Sequence, residues 1–147
     1  MAKTYYEPMH TAEHILNQTM LQLHTDERSF TTHIERKKSK VDYYHDRDLS
    51  EEEKIILETK VNNVINLNLD VHEKFLTREE AGQNFDLKRL PDDAIDNIRI
   101  IEIGNYDACP CIGQHVQNTN EIGTFKIISS SFNNGVLRIR FKVLNNQ

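Results

Sequence analysis

The chain has 147 residues, of which 37% are hydrophobic and 28% charged, a length and balance that predict one domain over residues 1–147 with a core needing no disulfide support. Lys and Arg number 18 against 23 Asp and Glu, a net charge of -5, which argues against strong general affinity for bulk DNA or RNA. The longest apolar runs, such as Ile98 to Ile103, are short and broken by charge, so they exclude a helical membrane span, and no signal-peptide core is apparent. The two cysteines stand two positions apart and close no useful loop, which makes a reducing cytoplasm the expected setting.

The first predicted element is a helix from about Pro8 to Leu23. Proline suits the first helical turn, and Met9, Ala12, Leu16, Met20 and Leu23 form an apolar stripe. Beside that stripe His10 and His14 lie one turn apart on one face. Alone, such a pair is more often incidental than functional. Glu13 immediately precedes the second histidine, so the metalloprotease pattern H-E-x-x-H does not apply.

Two strands are expected between Phe30 and Asp46, joined by Arg36-Lys37-Lys38-Ser39-Lys40, with Phe30, Thr32 and Ile34 on one face and Thr31 and His33 on the other. Ser50 with Glu53 reads as a capping box opening a second helix, whose apolar face is Leu57, Val61, Val64 and Ile65. A strand from Asp70 to Leu76 precedes a short helix from Arg78 to about Phe85, with Thr77 as its cap. Leu90-Pro91 marks a break before a strand at Ile98–Ile103, followed by a loop carrying Cys109 and Cys111. The last unit is a hairpin, Gly123 to Ser131 and Val136 to Val143 about Asn133-Asn134-Gly135. Without regular β-α alternation, the expected class is α+β: a largely antiparallel sheet with helices packed on one side.

Cys111 and His115 repeat the four-residue spacing of His10 and His14. One thiolate and three imidazoles are a suitable tetrahedral set for zinc, with Cys109 as an alternative sulfur donor. Two basic clusters, Arg36 to Lys40 and Arg138 to Lys142, are either a phosphate-binding patch or solvated strand faces.

In their order, these parts carry a resemblance. His10-Thr11-Ala12-x-His14, Val41-Asp42-Tyr43-Tyr44, Val61-Asn62 and Glu79-Glu80-Ala81 are followed by Ile103-Gly104-x-x-Asp107, Cys111-x-x-x-His115-Val116 and Asn118-Thr119-x-Glu121-Ile122-Gly123. With Phe125-Lys126-Ile127 and Gly135-Val136-x-Arg138-Ile139, the chain resembles the editing domain of alanyl-tRNA synthetase and, more distantly, that of threonyl-tRNA synthetase. The closest likeness is to the small free-standing AlaX editing proteins. The resemblance implies zinc held by His10, His14, Cys111 and His115, and hydrolysis of the aminoacyl ester of mischarged tRNA, above all Ser-tRNA(Ala). It also implies Thr31 beside the seryl hydroxyl, Gln114 lining the mouth of the site, and contact with the tRNA acceptor end; Lys37, Lys38 and Arg138 are the expected tRNA-binding cations. Ile112 and Gln114 stand where the synthetase motif has glycine and threonine, which bears on amino-acid choice. The alternative is a catalytically silent zinc module that binds tRNA ends or another protein.

Overall fold

The computed structural model describes residues 6–85, 87 and 97–144; the break expected at Leu90-Pro91 lies outside them. In chain order the elements are α1 (Glu7–Leu23), β1 (Thr31–His33), β2 (Ser39–Tyr44), α2 (Glu51–Ile65), β3 (Val71–Leu76), α3 (Arg78–Asn84), β4 (Ile98–Ile103), β5 (Asp107–Pro110), the short 3-10 turn Thr119–Glu121, β6 (Thr124–Asn133) and β7 (Val136–Leu144). The class is α+β and every strand pairing is antiparallel. The strands divide into two sheets, in the orders β1-β2-β7-β6 and β3-β4-β5.

This division departs from the single sheet expected from sequence, and β4 supplies the reason. Its isoleucines occupy both faces: Ile98 and Ile100 pack with Ala81 of α3, whereas Ile103 joins the main core. A strand buried on both sides belongs in its own layer. The segment expected to be a cysteine loop is in part β5, paired with β4 from Ile103↔Asp107 to Ile100↔Pro110.

Helix α1 runs through the centre, against β7 of one sheet, β5 of the other, and α2. Accordingly Met9 to Asn17 are all buried, polar residues included, so this helix carries far more than one apolar stripe. Both other helices have the capping boxes read from sequence, Ser50 with Glu53 and Thr77 with Glu80. Asn62 fastens α2 to β6: its amide donates to the Phe125 carbonyl at 2.9 Å and its Oδ1 accepts from the Phe125 N–H at 2.7 Å. The β6–β7 hairpin turns through Asn134 (φ 48°) and Gly135 (φ 81°), both in the left-handed region that matches strand twist in a tight hairpin. Leu137, Ile139 and Phe141 face the core while Arg138 and Arg140 alternate with them.

Candidate metal centre

His10 and His14 are presented by the first turns of α1, while Cys111 and His115 come from the segment after β5. One donor atom from each lies within 4.8 Å of the others. The imidazoles form a close cluster, with ring centroids 4.2 Å apart for His10–His115, 4.5 Å for His14–His115 and 5.1 Å for His10–His14. Cys111 Sγ lies 3.5 Å from His10 Nε2. Cys109 lies outside this set, and its thiol donates to the Pro110 carbonyl.

Backbone and hydroxyl groups orient the rings. His10 Nδ1–H donates to the Gln114 carbonyl at 3.0 Å, directing Nε2 toward the cluster. Thr11 Oγ1 is 3.0 Å from His115 Nδ1 and accepts from the Val116 N–H at 3.2 Å. His115 Nε2 is buried and has no hydrogen-bond partner among the described residues. An orphaned buried nitrogen beside a thiol and two further imidazoles fits a soft or borderline divalent cation, zinc foremost. Gly113 makes room for this packing: a Cβ there would lie 2.3 Å from His10 Cε1.

The electrostatics of Cys111 and His115 agree with that donor set, whereas those of His14 favour a proton that a metal would have to displace. Burial alone raises the Cys111 thiol, yet the neighbouring His10, His115 and His14 imidazoles bring it down to about 3, favouring the thiolate that a metal requires. Burial also lowers His115, with His14 and His10 adding to the effect against Cys111, to about 4, so it is neutral and has a lone pair to donate. Burial opposes protonation of His14, but Asp107, Cys111 and Glu13 outweigh it and raise this residue well above its ordinary value.

Several supporting residues were given no role by sequence reasoning. Asp107 Oδ2 lies 3.7 Å from His14 Nδ1, and its carboxylate receives Arg28 Nη1 at 2.8 Å, Arg28 Nη2 at 3.0 Å and Gln18 Nε2 at 3.0 Å. Arg99 donates to the Cys111 and Gly113 carbonyls at 3.2 and 2.6 Å, anchoring the loop that carries the thiol. An arginine between Ile98 and Ile100 was its only sequence signal. Glu13 is buried, with Oε1 3.7 Å from His14 Nε2; its other oxygen accepts from Asn17, and from Ser29 and Thr32 at 3.4 Å each.

None of the other expected residues contributes a donor to this cluster. Thr31 pairs with Asp42, which pairs with Arg138, so all three share the outer face of the four-stranded sheet. Thr32 instead pairs with Val41 on the core side and reaches Glu13. The Gln114 side chain is exposed, its carbonyl serving His10, and Ile112 is 75% exposed. Lys37 and Lys38 are exposed in the β1–β2 turn. Arg138 is engaged by Asp42 through two bonds, at 2.7 and 2.9 Å.

Residues 98–140 match the family described as the threonyl and alanyl tRNA synthetase second additional domain. The alanine–tRNA ligase of Staphylothermus marinus is 37% identical over 107 residues, covering 71% of this chain and 12% of the relative. That of Caldicellulosiruptor saccharolyticus is 35% identical over 133 residues, covering 88% and 15%, and that of Methanococcus vannielii 30% identical over 138 residues, covering 90% and 15%. The chain therefore spans only a small part of these ligases, 12 to 15% of their length. Over most of its own length, it is similar to the editing domain of alanyl-tRNA synthetase.

Proposed function

We propose that the chain is a zinc-dependent deacylase, acting in the cytoplasm, which hydrolyses the ester joining a wrong amino acid to the terminal ribose of tRNA, with Ser-tRNA(Ala) as the foremost substrate. The observation that carries this reading is the convergence of His10, His14, Cys111 and His115 donors within 4.8 Å, in a chain similar to an alanyl-tRNA synthetase editing domain.

These four residues would hold the metal, which when bound supplies Lewis acidity toward an ester carbonyl or a water. The chain's own groups do the positioning. Gln114, through its carbonyl, and Thr11 fix the orientations of His10 and His115, while Asp107 lies beside His14. Glu13 offers a buried acceptor next to His14, and Thr32 and Ser29 place hydroxyls around it. We assign the amino-acid side of the site to Thr32 instead of Thr31, because Thr32 faces inward and bonds Glu13.

The test is deacylation of a panel of mischarged tRNAs, with metal content measured on the same sample. Cleavage that tracks bound zinc is expected; intact Ser-, Gly- and Thr-tRNA with fully loaded protein overturns the proposal. A second reading, a silent module with structural zinc, is favoured by one observation: four protein donors are also the number that closes a structural zinc site. In that case chelation unfolds the protein and no aminoacyl ester is cleaved.

A further inference from the structure

The chain has more acids than bases, yet its bases are unevenly spent. Strands β1, β2, β6 and β7 contain five Lys or Arg residues, namely Lys40, Lys126, Arg138, Arg140 and Lys142, and a single carboxylate, Asp42. Strand register gathers all six on the outer face: Lys40 stands opposite Arg140, Asp42 opposite Arg138, and Lys126 opposite Lys142. The intervening Val41, Leu137, Ile139 and Phe141 are fully buried on the inner face.

Arg138 is occupied by Asp42. The other four cations have no carboxylate partner among the described residues, and Arg140 donates only to Ser129 and Ser131 hydroxyls. Elsewhere, Arg28, Arg47, Lys54, Lys74 and Arg99 are all paired with acids. One end of the basic face opens into a groove of about 370 Å³ lined by His33, Glu35, Lys38, Ser39, Lys40 and Arg140. Beyond the Arg138–Asp42 pair stands an aromatic pair: Phe30 and Tyr44 stack at 4.1 Å, and Tyr44 is 60% exposed.

Unneutralised cations in a row, bordered by an exposed ring, match the chemistry of a phosphodiester backbone with an unstacked base. We propose that the outer face of the β1-β2-β7-β6 sheet is a docking surface for RNA, with Lys40, Arg140, Lys142 and Lys126 on phosphates and Tyr44 beneath a base. This rests on the deacylase reading for its partner, tRNA. It replaces Arg138, which is already paired, as the principal cation. The β1–β2 turn also touches the start of the helix that carries His10: Arg36 lies 4.6 Å over the ring of Tyr6, its N-cap.

The experiment measures binding of uncharged tRNA to zinc-loaded protein across a salt series, for wild type and for Lys40→Gln/Arg140→Gln/Lys142→Gln. Affinity should fall at least about tenfold, and the slope of log K against log salt should fall by about 2 to 3 for the three lost phosphate contacts. Tyr44→Ser should weaken binding without changing that slope, while Lys74→Gln, on the other sheet, should change neither. If the triple variant melts early, Lys40→Gln/Lys142→Gln keeps Arg140 on its serines and is read by the same criteria.

Unchanged affinity and slope overturn the proposal, as does binding to phosphatidylserine vesicles without binding to tRNA. Hydrolysis of a seryl ester of a CCA trinucleotide, measured alongside, should survive the triple substitution. If tRNA binding depends on this face but wild type cleaves no ester, the docking surface stands and the deacylase reading falls.

Discussion

His10 donates from Nδ1 to the backbone carbonyl of Gln114 at 3.0 Å, a bond that joins residues 104 positions apart. It fixes which nitrogen of His10 faces the cluster, because the nitrogen that donates to a carbonyl carries the proton and leaves Nε2 toward Cys111. The identity of the Gln114 side chain is immaterial to that bond.

Gly113→Ala should displace the His10 ring, since the added Cβ would lie 2.3 Å from Cε1 and 2.8 Å from Nδ1. Zinc affinity is expected to drop about 10- to 100-fold, as for loss of an orienting partner, with the secondary structure intact. Gln114→Ala should leave affinity unchanged. Competition against a chromophoric chelator measures both.

The sulfur donor is decided by a pair of substitutions. Cys111→Ser should lose metal and ester hydrolysis together, whereas Cys109→Ser should retain the metal, because its thiol lies outside the donor cluster. Stoichiometric zinc in purified Cys111→Ser, with none in Cys109→Ser, would reverse the assignment.

The register of β1 predicts opposite outcomes for neighbouring threonines. Thr32→Val removes a hydroxyl 3.4 Å from Glu13 and 3.0 Å from the Ser29 hydroxyl, and should lower kcat/KM for a seryl ester by about 5- to 30-fold, the equivalent of about 1–2 kcal/mol. Thr31→Val, on the far face, should lie within about twofold of wild type in the same assay, its hydroxyl contributing well under about 0.5 kcal/mol.

Asn62 holds α2 against β6 through both of its amide atoms. Asn62→Ala leaves the Phe125 N–H and carbonyl without that partner, at an expected cost of about 1–3 kcal/mol. Urea denaturation should show a lower midpoint with an unchanged m value.

Acid sensitivity has an identifiable contributor at the start of α2. Hydrogen bonds from Arg47 and the Ser50 N–H hold Glu53 at about 2, below its ordinary value of 4.5. A depressed carboxylate adds stability that is fully present above its unfolded value and is lost as pH falls through the folded one. Glu53→Gln should therefore lose less stability than wild type between about pH 5 and about pH 2. The pair is solvent-exposed, and added salt should shrink the difference.

Local patterns in the amino-acid sequence determined the elements. The apolar spacing of Met9 to Leu23, the boxes Ser50/Glu53 and Thr77/Glu80, and Asn134-Gly135 each act within a few residues, so they are legible without knowing the fold. The zinc donors were legible as residue types at matching spacing. Their meeting depends on α1 packing beside β5, a contact that no local pattern encodes.

Alternation already separates Thr31 from Thr32; the tertiary structure decided that the Thr32 face turns inward to meet Glu13. Thr31 and Thr32 differ by one position, and a one-residue change of register would exchange them. The same register sets Arg138 on Asp42 and leaves Lys40 beside Arg140. It also required two sheets, because the isoleucines of β4 needed two separate cores. Around His10 and His14, sequence supplied the chemistry of the donors; long-range packing supplied the Gln114 carbonyl, the Gly113 gap and the Asp107–Arg28 pair that orient and support them.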